Sequence, residues 1–273
     1  MFKLNRSPGC ALGLAMVFAS SWVWELTVYA APGEDAAPIS FVLQKPSVTL
    51  HEPVFVVLKI ANSLAERVTF ELGFQEKAHY HFILTEPSGS TVSPPTIWEG
   101  GFGATGHMTL NAASTFERKV LVNEWYQFSK AGSYGIQVKL SGLALKTASG
   151  TVLADEVSSP QMLLQVDPVD PSKLSEVCEA LLDGARTSRG FAKRAENAVA
   201  LSYILDPVAV PYLAKLAKTP QLEDVGVAGL ARIANVEGIE EVVSNLGTED
   251  PELERSIREA FECLKRGCGP PAD

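Results

Sequence analysis

Along residues 37–167 the apolar side chains recur at every second position. Val54, Val56, Leu58 and Ile60 share one face of Pro53–Asn62, and Tyr134, Ile136, Val138 and Leu140 share one face of a later run. Phe116, Val120 and Val122 fall on a single side of Thr115–Asn123. A period of two is that of a half-buried β-strand. Shorter extended runs are Phe41–Gln44, Val48–Leu50, Val68–Leu72, His79–Thr85 and Met162–Val166. Leu143–Leu145 and Val152–Ala154 flank Ala148–Gly150 as a hairpin. The pattern predicts seven to nine strands in an antiparallel β-sandwich, because a half-apolar sheet needs a second sheet to cover it.

The period changes after residues 168–171, Pro-Val-Asp-Pro, which stop strand and helix alike and read as a hinge. In Ser172–Ala185, Leu174, Val177, Cys178, Leu181 and Leu182 form one helical stripe. Further helices are predicted over Phe191–Leu205, Pro207–Lys218, Pro220–Ala234 and Val236–Leu246, with a sixth from Thr248 to about Arg266. Asp206 caps the third and Pro207 fits its first turn. At an offset of 29, Val199, Leu201, Ile204, Asp206, Val210 and Leu213 fall on Ala228, Leu230, Ile233, Asn235, Ile239 and Val242. A period of about 30 residues built from two helices is the mark of stacked repeats.

The predicted domains are therefore a sandwich over 31–167 and helical repeats over 172–268, preceded by an export signal over 1–30. Lys3 and Arg6 precede an apolar stretch at 11–24, and Val28 and Ala30 are the small residues before a cut between Ala30 and Ala31. The apolar stretch spans about 21 Å as a helix, short of a hydrocarbon core of about 30 Å. A retained anchor, with Trp22 and Trp24 at the interface, is the alternative. No other segment is long and apolar enough to cross a bilayer, so a periplasmic or secreted protein is expected.

Composition narrows the function. The 273 residues are 46% hydrophobic and 20% charged, which suits globular domains. A net charge of −9 argues against a nucleic-acid partner, which requires a basic surface. Residues 169–273 hold 12 Lys and Arg against 18 Asp and Glu, a net of −6. Beyond the signal only Cys178, Cys263 and Cys268 remain, an odd number, and an oxidising compartment permits a bridge between Cys263 and Cys268.

Chemistry-bearing residues are sparse. His79 and His81 alternate on a predicted strand, so both imidazoles can face one metal ion, with His107 or His51 as further ligands; the bland alternative is a solvated sheet face. The Gly-rich loop 98–106 lies between strands and carries no Lys, unlike a phosphate cradle. Its Trp98 and Phe102 either pack on the sandwich or contact a ligand. Arg186, Arg189, Lys193 and Arg194 form a solvated helix face or a docking patch for an acidic partner. Acidic tracts at Glu237, Glu240 and Glu241 and at Glu249, Asp250, Glu252 and Glu254 stabilise helix N-termini or line a groove for a basic peptide. All four His precede the hinge and all three Cys beyond the signal follow it, and no Gly-x-Ser-x-Gly elbow exists. No catalytic residue and no cofactor is expected.

Two resemblances add to this reading. Ala131-Gly-Ser-Tyr-Gly-Ile-Gln-Val138, after Trp125-Tyr-Gln-Phe128, resembles the Gly-x-Tyr start of a late strand in bacterial immunoglobulin-like sandwiches, and about 130 residues are covered. The resemblance implies a Tyr134 hydroxyl tied to nearby backbone. The antibody-type Cys pair and its Trp are missing. Residues 198–213, with Asp206-Pro207 ahead of Ala209-Val-Pro-Tyr-Leu213, resemble HEAT-like repeats of the phycobilisome-lyase type, which implies a binding scaffold and not lyase activity.

The expectation is an exported, non-enzymatic scaffold of the bacterial cell envelope. It binds another protein or peptide through a helical-repeat groove and sandwich loops. A protease inhibitor or ligand-binding module on the sandwich is the first alternative, and a metal-dependent hydrolase using His79 and His81 is the second.

Overall fold

The computed structural model describes residues 39–71, 76–97, 107–153, 156–246 and 251–266. The strands are β1 (Ile39–Leu43), β2 (Ser47–Thr49), β3 (Phe55–Ala61), β4 (Val68–Glu71), β5 (Tyr80–Thr85), β6 (Thr91–Val92), β7 (His107–Leu110), β8 (Thr115–Leu121), β9 (Gly132–Ser141), β10 (Leu145–Thr147), β11 (Gly150–Leu153), β12 (Glu156–Ser158) and β13 (Met162–Asp167). The short pieces β6, β7 and β12 have too few residues to show a period, which is why the alternation pattern undercounts strands. The predicted signal peptide, Trp98 and Phe102 lie outside the described residues, as do Glu249, Asp250 and Cys268.

Among the described residues three sheets form the β-region: β1-β3-β8, β11-β10-β4-β7, and β2-β13-β9-β5-β6 with β12 also on β9. The long alternating runs point their apolar sets inward. Val54, Val56, Leu58 and Ile60 are buried, and so are Tyr134, Ile136, Val138 and Leu140. These side chains meet in a single core with Phe41, Phe70, Phe82, Trp125 and Phe128. The pairings are antiparallel except one: β2 lies parallel to β13, with Ser47 opposite Gln165 and Thr49 opposite Asp167. The predicted antiparallel sandwich stands, with this one parallel pair among the described strands. A parallel pair needs a long crossover, and β2 and β13 come from opposite ends of the β-region. As the tyrosine motif implies, the Tyr134 hydroxyl donates to the Lys130 carbonyl at 2.9 Å. A second tie is Asn62, whose buried amide donates to the carbonyls of Glu66, Leu110 and Asn111.

Six α-helices follow among the described residues: α1 (Pro171–Thr187), α2 (Phe191–Ser202), α3 (Val210–Leu216), α4 (Glu223–Glu237), α5 (Ile239–Leu246) and α6 (Pro251–Lys265). The helix predicted over Pro207–Lys218 is instead a 3-10 turn at Pro207–Ala209 followed by α3. Asp206 caps that turn by accepting from the Val208 amide. Gly238, at φ 98°, separates α4 from α5 with a backbone conformation that costs a residue with a Cβ more. The helices pack in sequence, α1 on α2, α2 on α4 and α4 on α6, while α3 packs on α5. Leu201, Ile204 and Leu213 are fully buried, and Leu230, Ile233 and Val242 at the +29 positions are buried as well.

The segment that reads as a hinge is clamped. Thr49 donates its hydroxyl to the Pro168 carbonyl and accepts from the Asp170 amide at 2.8 Å. Asp170 in turn caps α1 by accepting from the Ser172 and Lys173 amides. The prolines end the sheet, but the hydrogen bonds seat the first helix directly on it.

Candidate functional site

Among the described residues a groove of about 1170 Å³ is lined by α2, α4 and α6 and walled at one end by the β-region. The 29-residue offset explains part of its geometry. Val199 and Ala228, one offset apart, both line it. Tyr203 and Arg232 are also 29 residues apart. Since α2 packs on α4, the Arg232 guanidinium lies 4.3 Å from the Tyr203 ring centre. The same guanidinium donates to the Ser202 hydroxyl at 3.0 Å and to the Ser202 carbonyl at 3.3 Å. That carbonyl belongs to the last turn of α2, where no intrahelical donor is available. Burial pushes the Tyr203 phenol above its ordinary value, against the pull of Arg232.

The end wall is an ion pair from the β-region. The Lys77 ammonium lies 2.6 Å from the Glu124 carboxylate, which is 8% exposed. Glu124 closes a 3-10 turn, Val122–Glu124, that continues β8. The Asn123 side-chain oxygen in that turn accepts from the Val54 amide at 2.7 Å, fixing the turn against β3. The groove floor is apolar, with Ala228, Ala231, Ala260 and Leu264, while Glu223, Asp224, Glu252 and Glu259 stand at its edges. Of these four carboxylates only Glu252 belongs to an acidic tract singled out from the sequence. Glu223, Asp224 and Glu259 are ordinary surface residues by composition, and stacking alone brings them to one opening.

A smaller cavity of about 230 Å³ lies between the β2–β3 turn and α1, lined by Val48, Pro53 and Phe55 opposite Val177, Ala180 and Leu181. The stripe of α1 is thus shared. Leu174, Cys178 and Leu182 are buried in the helical core, whereas Val177 and Leu181 are partly buried against that core and also line the cavity toward the sandwich. Cys178 is fully buried in the helical core, and burial pushes its thiol up to about 12. Beside this contact His51 sits half-buried at φ 73°, in electrostatic reach of Asp206 and Glu237. Its Nδ1 is buried without a hydrogen-bond partner, and burial lowers its pKa below the ordinary 6.5 despite the two carboxylates.

The histidine pair expected on one strand is placed differently. His79 ends a 3-10 turn and the strand begins at Tyr80, so strand alternation does not relate the two rings. The strand starts there because the Tyr80 ring enters the core, where it is 1% exposed. His81 Nε2 lies 3.1 Å from the Ser141 hydroxyl, and the His79 ring lies against Gly142. His51 is at the helical junction instead, and the His107 side chain lies outside the described residues. Among the described residues no three His, Cys, Asp or Glu side chains are grouped to hold a metal.

The basic cluster stands at the α1–α2 connection. Arg186, Arg189 and Lys193 are exposed, and Arg194 donates to Gln221 at 3.0 Å while lying 5.9 Å from the Phe191 ring centre. Phe191 is itself 53% exposed. This cluster and the groove are separate features, since none of its residues lines the groove. Among the described residues no helix is long and apolar enough to cross a membrane.

No protein-family model and no curated protein matches this chain. Among solved structures, the chain is similar to an ASH/PapD-like domain of human CEP192, at 9% identity and a TM-score of 0.26, covering 60% of this chain and 100% of that one. It is also similar to Spo0M, a sporulation control protein from Bacillus subtilis, at 12% identity and a TM-score of 0.23, covering 54% of this chain and 56% of that one. The architecture follows from the strand pairings and helix contacts of the chain itself.

Proposed function

We propose that the protein is a non-catalytic binding scaffold of the bacterial cell envelope, exported to the periplasm or beyond, which holds a partner protein in the groove across α2, α4 and α6. The observation that carries this reading is the groove itself: a concavity of about 1170 Å³, with an apolar floor and charged edges. Ligand sites are concave and mostly apolar with a few placed polar groups, and this one lies on helices held by the end wall of a second region. In this reading the paired helices are HEAT-like units, supported by the 29-residue offset and by the packing of α2 on α4 and α3 on α5. Stacked repeats expose extended concave surfaces of this kind. Export is supported by the tripartite pattern of residues 1–30.

A photo-cross-linking residue placed at Ser256, which lines the groove, is expected to capture one discrete partner in intact cells. The same residue at Arg189, on the α1–α2 connection, is expected to capture none. Equal capture at the two positions, or none at Ser256, refutes the groove as the binding face.

A further inference from the structure

The groove has a charge pattern as well as a shape, and the occupant that this pattern selects rests on the scaffold reading. α4 and α6 pack side by side, each 15 residues long. At 1.5 Å per residue that is about 22 Å of floor, enough for some four turns of a partner helix. Ala228, Ala231 and Ala260 keep the floor low in side-chain volume, so a second helix can approach closely and bury apolar area there.

The edges are acidic on both sides. Glu223 and Asp224 are exposed at the start of α4, and Glu252 and Glu259 are exposed along α6. Arg255, between the two α6 carboxylates in sequence, lies 3.6 Å from Glu252 and 4.0 Å from Glu259. It is 67% exposed, and pairs of that kind hold their partners weakly. Three cations line the groove with five carboxylates. Arg232 is stacked on Tyr203 and bonded to Ser202, Lys77 is paired with Glu124, and Lys218 stands exposed just after α3, so the lining keeps a net negative charge. Residues 169–273 as a whole carry 12 basic against 18 acidic residues. Glu223, Asp224 and Glu252 also favour the N-termini of their own helices, whereas Glu259, two turns into α6, lies beyond the reach of that effect.

We propose that the groove receives a basic amphipathic helix of a partner protein. Its apolar face lies on the alanine floor, and its Lys and Arg side chains reach the carboxylates on α4 and α6. An apolar helix stripe fits an apolar groove, and the complementary charge sets orientation and speeds association.

The test is selection of a random-peptide display library on the full chain, followed by affinity measurement of the enriched peptides. Enriched sequences are expected to be net basic with apolar residues at i, i+3 and i+4, to bind more weakly as salt rises, and to be blocked by Ser256→Trp. The exposed double variant Glu223→Lys with Glu259→Lys is expected to weaken them by about tenfold or more, the effect of about 1.4 kcal/mol. This variant alters no packed residue, so it reads the charge even if the Trp variant is unstable. Acidic or uncharged peptides blocked by Ser256→Trp would overturn the basic-helix assignment and leave the groove in use. Peptides indifferent to Ser256→Trp, or no enrichment at all, would overturn both the assignment and the groove reading.

Discussion

The β-region and the helical region solve the burial problem with different side chains. Seven aromatic residues (Phe41, Phe70, Tyr80, Phe82, Trp125, Phe128 and Tyr134) fill the β core, whereas Phe261 is the one aromatic among the buried residues of the described helical core. The helices instead approach through alanine and glycine. A Cβ added at Gly226 would lie 2.3 Å from the Ala217 backbone nitrogen, and one at Gly229 would lie 2.6 Å from a Leu213 methyl and 3.0 Å from the Ser202 Cα. Sheets packed face to face stand about 10 Å apart and need large side chains to fill the gap. Helices brought together by small residues leave no such gap. The β core is closed, while the helices leave a concave face between α2, α4 and α6.

The contrast can be broken most forcefully at Phe82. Phe82→Ala removes a ring that is 1% exposed and in contact with Trp125 at a centroid distance of 5.0 Å. A loss of about 3–5 kcal/mol is expected in denaturant titration, from burial and cavity together. Gly226→Ala is sharper because the opposing effects can be weighed. Helix propensity alone would stabilise by about 1 kcal/mol. The Ala217 backbone cannot move aside as a flexible side chain would, and overpacking costs about 1–3 kcal/mol, so a net loss is expected. A variant with a raised Tm would show that the close helix contact is not needed.

His51 tests whether the regions are coupled. Its native pKa lies below 6.5, so the native state binds fewer protons than the unfolded one near that pH. Its contribution is complete above about pH 6.5, is lost as pH falls toward the native value, and is constant below it. His51→Asn keeps a side chain that tolerates positive φ and should flatten that slope while leaving stability at about pH 8 nearly unchanged. An unaltered slope would show that the junction does not exclude the imidazolium. The smallest effect is expected at Tyr134→Phe, which deletes the hydroxyl donated to Lys130. A loss of about 0.5–1.5 kcal/mol is expected for one hydrogen bond, with the aromatic contacts to Tyr126 and Phe128 retained.

Long periodic segments are legible in the sequence, and short or shared ones are not. The alternation over Pro53–Asn62 and at Tyr134–Leu140 marks buried positions correctly, as does the +29 offset in the helices. The α1 stripe reads as one face, yet Val177 and Leu181 line a cavity against Pro53 and Phe55. A periodicity records that a face is covered, not by what. The proline segment at 168–171 reads as a hinge because prolines interrupt regular structure. The bonds that clamp it come from Thr49, 119 and 121 residues away in sequence. Of the groove, the 29-residue offset foreshadows Val199 beside Ala228, but Arg232 over Tyr203 needs the stacking direction.

By itself, then, the amino-acid order determined the change of period, the positions that face inward and the succession of six helices, though not their exact ends. Those properties follow from side-chain geometry over a few residues. Only the tertiary structure decided which faces meet: the parallel β2–β13 pair, the seating of α1 on the sandwich, and the gathering of Glu223, Asp224, Glu252 and Glu259 around one opening. Such juxtapositions depend on contacts between distant segments, whose partners a local pattern does not encode.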